Sequence, residues 1–550
     1  MNTQRDRFPR RSFRESGLAA ALCGGAVWMA AVGLLELGLA EALFLLGPLV
    51  AVPLGLPLAA AGGAIDSAPA AWRVAIRLQT PAAVLLAVSF ALPRGGPAAL
   101  LSLPWLLFAL WTALLGILRF VGRGPRPLGE LSIDCALIFP AIGALATLCS
   151  RWGVPYFGFV GSMVLYTAAH FHFAGFVLPI LTGLAARAVP GVHAALSSAG
   201  VIAGVPFVAV GITLTLWGVR WVDLAGASWM SAACLLAACL QLRLFARTMR
   251  LSGRRGPAWL LAVSGLALPA GMALAAAFAF GNFLGTLWLH FPEMELYHAT
   301  TNVFGYALAG LAFWTHAALT GAAAAAWLHP DGGAGSTPGP RVVFRWLGDR
   351  AGFEEWARRD FSPGVAEGPR DGDSRDAHEI EAAVEPPGEP QPGGPHRRAA
   401  EAILRYEVFP SRLLTPHIGR APVEGGDTLA ASYHLAPGID LSIAARVVAV
   451  FDGIEGTAEG GTWRTGFTYR TLAGHPVAGE ETFSVEKDLA TGRVRVALRS
   501  WSRPASFLAR AFRPIARRLQ LRGGRAGALR LAEIARRAEK GCGRELPALP

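Results

Sequence analysis

The sequence predicts a polytopic α-helical membrane protein of about ten transmembrane helices, followed by a C-terminal α+β soluble domain of helix-grip type. Three observations predict it. Apolar runs of roughly 18 or more residues, enough to cross the hydrocarbon of a bilayer, recur up to Trp327. After Pro330 the chain turns polar and Pro/Gly-rich. Beyond Ala399, short segments alternate apolar and polar residues with the period of half-buried strands.

Composition agrees. The 550 residues are 53% hydrophobic, with a mean hydropathy of +0.41, above the soluble norm. The net charge of +12 raises the possibility of nucleic acid. The arginines, however, sit at the ends of apolar segments, where they report membrane topology; nucleic acid is not an expected partner. Lys487 and Lys540 are the only lysines. Cys23, Cys135, Cys149, Cys234, Cys239 and Cys542 show no CxxC pair and no metal-type spacing.

Residues 1–17 form a basic N-terminus that resembles the start of a signal peptide, but no small-x-small site follows, so an uncleaved first span is expected. The transmembrane domain is placed at 18–328. Its spans are expected at 18–35, 41–60, 72–92, 98–119, 131–150, 154–178, 199–219, 227–246, 258–281 and 299–328. With a cytoplasmic N-terminus, the inner segments collect Arg5, Arg7, Arg10, Arg11 and Arg14, then Arg73 and Arg77, Arg119, Arg123 and Arg126, Arg187, and finally Arg243 to Arg255. The outer loops carry only Arg94, Arg151 and Arg220. This alternation predicts a multi-pass protein of the cell membrane with both termini cytoplasmic.

Ionisable groups at membrane depth are functional candidates by default. The sixth span contains HFHFAGF, with His170 and His172, and the tenth carries His316. Residues two apart on a helix point about 200° from each other, so His170 and His172 cannot share one metal ion. His170 and His316 both fall about 24–27 Å inward from the outer ends of these spans, which permits a shared site. The HFH triplet resembles a segment of a haem-binding helix in haem–copper oxidases, so haem or a divalent metal enters as a candidate cofactor. A second group faces outward: Glu36 and Glu41 in the first turn, and His290, Glu293, Glu295, His298 and Asn302 in HFPEMELYHATTN. Carboxylates and imidazoles without counter-charge suit a divalent cation or a proton entry point. Solvated loop residues and structural hydrogen bonding are the plainer readings of both groups.

Together, LLGPLVAVPLGL, HFHFAGF and YHATTNVFGY resemble the YndJ-like bacterial membrane proteins over most of residues 15–325. The resemblance implies an architecture and little chemistry.

Residues 329–398 read as a flexible tether, interrupted by VVFRWLGDRAGFEEWARRDF (342–361), which suits an amphipathic helix on the inner leaflet or one packed on the soluble domain. The soluble domain is placed at 399–525, with strands at 427–435, 443–452, 463–472, 480–487 and 493–501. Helices follow at 504–520 and 526–540, the latter within a basic tail, 526–550. A curved sheet gripping a helix commonly leaves an apolar pocket. TGFTYRTLAGHPVAGEETFSVE with SWSRP resembles an uncharacterised domain-of-unknown-function family of signature GFxYxTLxGHxxxGEExFxVE and SRP. That family is similar to START/SRPBCC helix-grip folds, and Arg470 departs from its glycine. His475, Glu480, Glu481, Tyr469 and Arg503 are the candidate ligand-binding residues. The turn is expected to set His475 beside the two carboxylates, only one of which can partner it, while Arg503 suits a ligand carboxylate or phosphate. The alternative is a turn network that pins strand register. Arg510, Arg513, Arg517, Arg518, Arg522 and Arg525 make a basic helix suited to anionic inner-leaflet lipid.

The expectation is therefore a membrane protein that binds or senses a lipid-like or small apolar ligand through its cytoplasmic domain. A haem or metal redox protein and a cation- or proton-coupled transporter are the alternatives. No P-loop, dinucleotide fingerprint, GxSxG or HExxH pattern supports hydrolase or nucleotide chemistry.

Overall fold

The computed structural model describes residues 10–61, 69–251, 256–286, 288–320, 340–347, 353–456 and 461–537. It divides into two units, Met1–Ser336 and Thr337–Pro550. Among the described residues, the first contains ten helices long and apolar enough to cross a membrane. They are α1 (Arg14–Leu34), α2 (Leu39–Ala60), α3 (Ala70–Ser89), α4 (Gly96–Arg123), α5 (Leu128–Trp152), α6 (Ser162–Ala188), α7 (Val192–Thr215), α8 (Arg220–Arg250), α9 (Trp259–Leu284) and α10 (Phe291–Thr320). Each overlaps the span expected for it. Two ends move, and both matter for the site. α6 starts at Ser162, because a tight turn bridging Tyr156 and Phe159 precedes it. α10 starts at Phe291, so most of the stretch expected as the last loop is helix. Residues 321–328, expected to end the tenth span, lie outside the described residues.

Three spans are irregular inside. α2 is π-helical over Gly47–Ala51, α6 over Phe173–Val177, and α10 over Met294–Ala299 and Thr301–Leu308. Wider turns misalign backbone carbonyls, and in lipid a carbonyl needs a partner from the protein. Neighbouring spans supply several. Gln79 donates to the Pro48 carbonyl at 2.9 Å, Ser132 to Pro179 at 2.9 Å and Ser264 to Tyr306 at 2.9 Å.

The second unit is one antiparallel sheet in the order β2-β8-β7-β6-β5-β4-β3. Its strands are β1 (Arg341–Phe344), β2 (Ser374–Val384), β3 (Leu414–Ile418), β4 (Thr428–Ala436), β5 (Ile439–Glu455), β6 (Thr462–Thr471), β7 (Val477–Asp488) and β8 (Arg493–Pro504). β1 pairs with the start of β5, beyond the reach of β6. Helices α11 (Phe353–Ala357), α12 (Pro395–Leu404), α13 (Phe507–Ala511) and α14 (Arg513–Arg536) complete the unit. α12 and α14 lie on one face of the sheet, where Ala399, Ile403, Ala528, Leu531 and Ala532 meet Phe467, Phe483, Val485, Val496 and Leu498. Close approach is possible because α14 carries glycine where it crosses: a Cβ at Gly524 would fall 2.4 Å from the His378 ring.

The tether expected at 329–398 is corrected here. Residues 374–384 form an eleven-residue strand at the sheet edge, paired to β8 along its length. Its alternation, RDAHEIEAAV, is legible as a strand; surrounding prolines and glycines masked it. The helix expected at 342–361 is likewise corrected. Residues 341–344 are strand, and Trp356 on α11 is fully buried, donating to Ser442 at 2.9 Å. The soluble unit thus begins well before residue 399, and α14 runs unbroken across the boundary set at 525.

Candidate functional site

The π-helical parts of α2 and α6 meet at His172. It is fully buried, and Gly47 packs on its Cβ, where a side chain on residue 47 would come within 3.2 Å. Trp105 Nε1 donates to His172 Nε2 at 2.9 Å, and His172 Nδ1 donates to the Ala168 carbonyl at 2.7 Å. Both ring nitrogens are engaged, which fixes a neutral tautomer and leaves no lone pair for a metal. His172 is a packing residue.

His316 is exposed, away from the packed interior of the unit. The sequence expectation that it shares a depth with His170 is overturned by the true helix starts. Counting from Ser162 and Phe291, His170 lies about 12 Å in and His316 about 37 Å in. His298, about 10 Å in, takes its place. The two imidazoles are within electrostatic reach of each other. His298 Nδ1 donates to the Gly271 carbonyl at 2.8 Å, while Asn302 Nδ2 donates to the His298 carbonyl at 2.8 Å.

The remaining outward candidates do not converge. Glu293 accepts from the His290 amide at 2.8 Å and caps the start of α10. Glu41 accepts from the Gly38 amide at 3.1 Å and caps α2, while Glu36 is exposed. Glu295 instead lies close to Tyr166 of α6. Among the described residues, no three His, Cys, Asp or Glu side chains gather closely enough to hold a metal ion.

His170 opens onto a cavity of about 400 Å³ between α5, α6 and α7. Its walls are apolar and aromatic, with Ile142, Phe157, Val210 and Trp217 prominent; Tyr166, Thr167 and His170 supply polar atoms on one side. That pattern suits a small apolar molecule with one hydrogen-bonding end.

A second cluster escaped sequence reasoning. Arg119 donates to Asp134 at 2.7 Å, to Glu130 at 2.9 Å and to the Ala59 carbonyl at 3.0 Å. Arg123 completes Asp134, and Arg187 binds both oxygens of Glu130. The cluster ties α2, α4, α5 and α6 together. The arginines read as topology markers in the sequence. Glu130 and Asp134, one helical turn apart at the start of α5, were the available signal.

In the soluble unit the turn after β6 keeps its plain role. His475 Nδ1 bonds to Val477 within the turn, and burial pushes the imidazole down to about 4. It touches neither carboxylate, so the expected His–Glu pair is not formed. Strand alternation separates Glu480 and Glu481. Glu480 pairs with Arg470 across the strands at 2.7 Å, which accounts for arginine at that position. Arg503 is bound to Asp373 at 2.9 Å and to the Gly368 carbonyl at 2.6 Å, holding the loop before β2.

Glu481 faces the core and accepts from Tyr469 at 2.7 Å; the Tyr469 ring packs against Tyr406. Burial raises the carboxyl to about 7, with the Asp376 charge adding to the rise. Because the folded state holds this proton more tightly, its contribution is complete below the ordinary glutamate range and is lost as pH rises to about 7. Melting temperatures of the protein should therefore fall over that window, and Glu481→Gln should flatten the fall. An unchanged profile would refute the assignment.

Residues 42–306 match the family model for YndJ-like protein, and residues 375–528 match the family model for domain of unknown function DUF1990. The chain joins a YndJ-like membrane region to a DUF1990 domain. The YndJ-like match takes in the ion cluster, the cavity, His172 and His298, and stops short of His316. The DUF1990 match starts within β2, in agreement with a domain that includes this strand. The uncharacterized membrane protein YndJ of Bacillus subtilis (strain 168) is 27% identical over 304 residues, covering 55% of this chain and 53% of the relative. The chain thus spans about half the length of that relative. No solved structure matches it.

Proposed function

We propose that this membrane protein binds a small apolar or lipid-like molecule in the cavity between α5, α6 and α7, with His170 hydrogen-bonding its polar end. Both termini and the DUF1990 domain are assigned to the cytoplasmic side, on the strength of the arginine distribution. The cavity, about 400 Å³ and apolar on most sides, carries the reading. We read the DUF1990 domain as START-like because β2, which opens the sheet, pairs with the last strand β8 beside the C-terminal helix α14. The space beneath that helix is occupied by Tyr406, Phe409, Phe467, Tyr469 and Phe483, whose ring centroids lie 5.2–6.5 Å apart. This packing favours the membrane cavity as the ligand site.

Photolabelling with a diazirine fatty acid in native membranes tests it. Label should concentrate in α6 and α7 and be lost in Ala209→Trp, which fills the cavity. Label spread evenly over all spans and unchanged by the tryptophan would defeat the proposal. The adjacency of His170 and His298 also supports a proton-coupled role. In proteoliposomes, a pH gradient should then drive flux that His298→Ala abolishes; flux unaffected by that change would remove this second reading.

A further inference from the structure

α14 has two apolar faces, and only one of them belongs to the core. Gly524, Ala528, Leu531, Ala532 and Ala535 face the sheet. Phe512 immediately precedes α14, and Ile515 and Leu519 lie on its opposite side, about 180° around the helix axis and about 40° from each other. They are 52%, 56% and 37% exposed. Nothing in the folding of the sheet unit requires them there; leaving three large apolar side chains in water forgoes their burial.

The charges beside the stripe say what covers it. Arg513 flanks it on one side and Arg518 and Arg522 on the other, all exposed, with Arg510 just ahead on α13. Arg517, turned inward, is consumed by Asp376. Arg510 and Arg518 form no ion pair among the described residues. An apolar stripe bordered by cations is the pattern of a helix lying in the interface of an anionic bilayer. A bilayer is also always at hand. Only 20 residues separate the end of α10 at Thr320 from β1 at Arg341, a reach of at most about 70 Å even fully extended.

We infer that the start of α14 docks the DUF1990 domain onto anionic lipid, with Phe512, Ile515 and Leu519 entering the interface and Arg510, Arg513, Arg518 and Arg522 contacting phosphate headgroups. The inference is independent of the ligand cavity. Its test is hydrogen exchange of peptide 507–522 in the full-length protein. The protein is reconstituted in nanodiscs of phosphatidylcholine alone or with one third phosphatidylglycerol. Anionic lipid should slow exchange by about tenfold or more, as expected for several arginines near a charged surface. The protection should weaken in high salt. It should also disappear in Phe512→Ser/Ile515→Ser, whose substituted side chains are outside the core. Exchange equally slow in both lipids and in detergent would overturn the inference, showing the stripe covered by protein. Exchange equally fast in all three would overturn it as well. Protection that follows protein concentration instead of lipid charge would mark a second copy as the partner and likewise exclude lipid.

Discussion

Asp134→Ala should be the most damaging single substitution in the membrane region, lowering its stability by about 3–5 kcal/mol, the cost of breaking a buried ion pair from one side. Asp134 is fully buried and is shared by Arg119 and Arg123. Its removal leaves Arg123 without a carboxylate and Arg119 sharing Glu130 with Arg187, and Arg119 has no route to water because its side chain is only 6% exposed. Arg123→Ala should be much milder. The Arg123 side chain is 25% exposed, and Asp134 keeps Arg119 when it goes. The double variant Arg119→Met/Asp134→Leu removes one charge of each sign and leaves Glu130 with Arg187. It should recover more than half of the loss. Thermal unfolding in detergent, read by size-exclusion fluorescence, ranks the three variants. Equal effects for Asp134→Ala and Arg123→Ala would show that the cluster is solvated.

Different physical signals made different parts legible. Ten spans could be read because a bilayer demands length and apolarity, two properties that composition displays directly. Helix starts were less visible, and that error spread to the site: placing the start of α6 at 154 instead of Ser162 and that of α10 at 299 instead of Phe291 paired His170 with the wrong histidine. The strands after residue 427 alternate clearly and were found. β2 alternates too, but it lies among prolines and glycines that signal disorder when sequence is weighed by composition. The candidate residues Glu480 and Glu481 were placed on opposite faces from strand geometry alone. Their partners, Arg470 and Tyr469, depend on register, which only the fold supplies. Glu130 and Asp134 were missed because the arginines that neutralise them carry a second, louder meaning as topology markers.

The second large effect is expected at Lys487, one of two lysines in the chain and fully buried. Its ammonium donates to Glu385 at 2.9 Å and to the Glu389 carbonyl at 3.0 Å. Glu385 has more support: besides the lysine it accepts from the His396 amide at 2.7 Å and the Gln391 amide at 3.3 Å, capping the start of α12. The two halves of the pair are therefore unequal. Glu385→Ala strands an ammonium with one carbonyl and also uncaps a helix, so it should cost about 3–5 kcal/mol or more. Lys487→Met leaves a carboxylate that still holds two amide donors, and a flexible apolar side chain of similar length fills the space. It should cost less. The carboxyl is buried, yet its amide and lysine partners bring it below the usual glutamate range, so the pair contributes fully above that range. The contribution is lost as pH falls through the lowered value. Acid unfolding of the wild-type protein should accordingly be steeper than that of Lys487→Met. Equal losses from the two single variants, or an acid limb unchanged by Lys487→Met, would show that Glu385 is held by the lysine alone or that it titrates without regard to the fold.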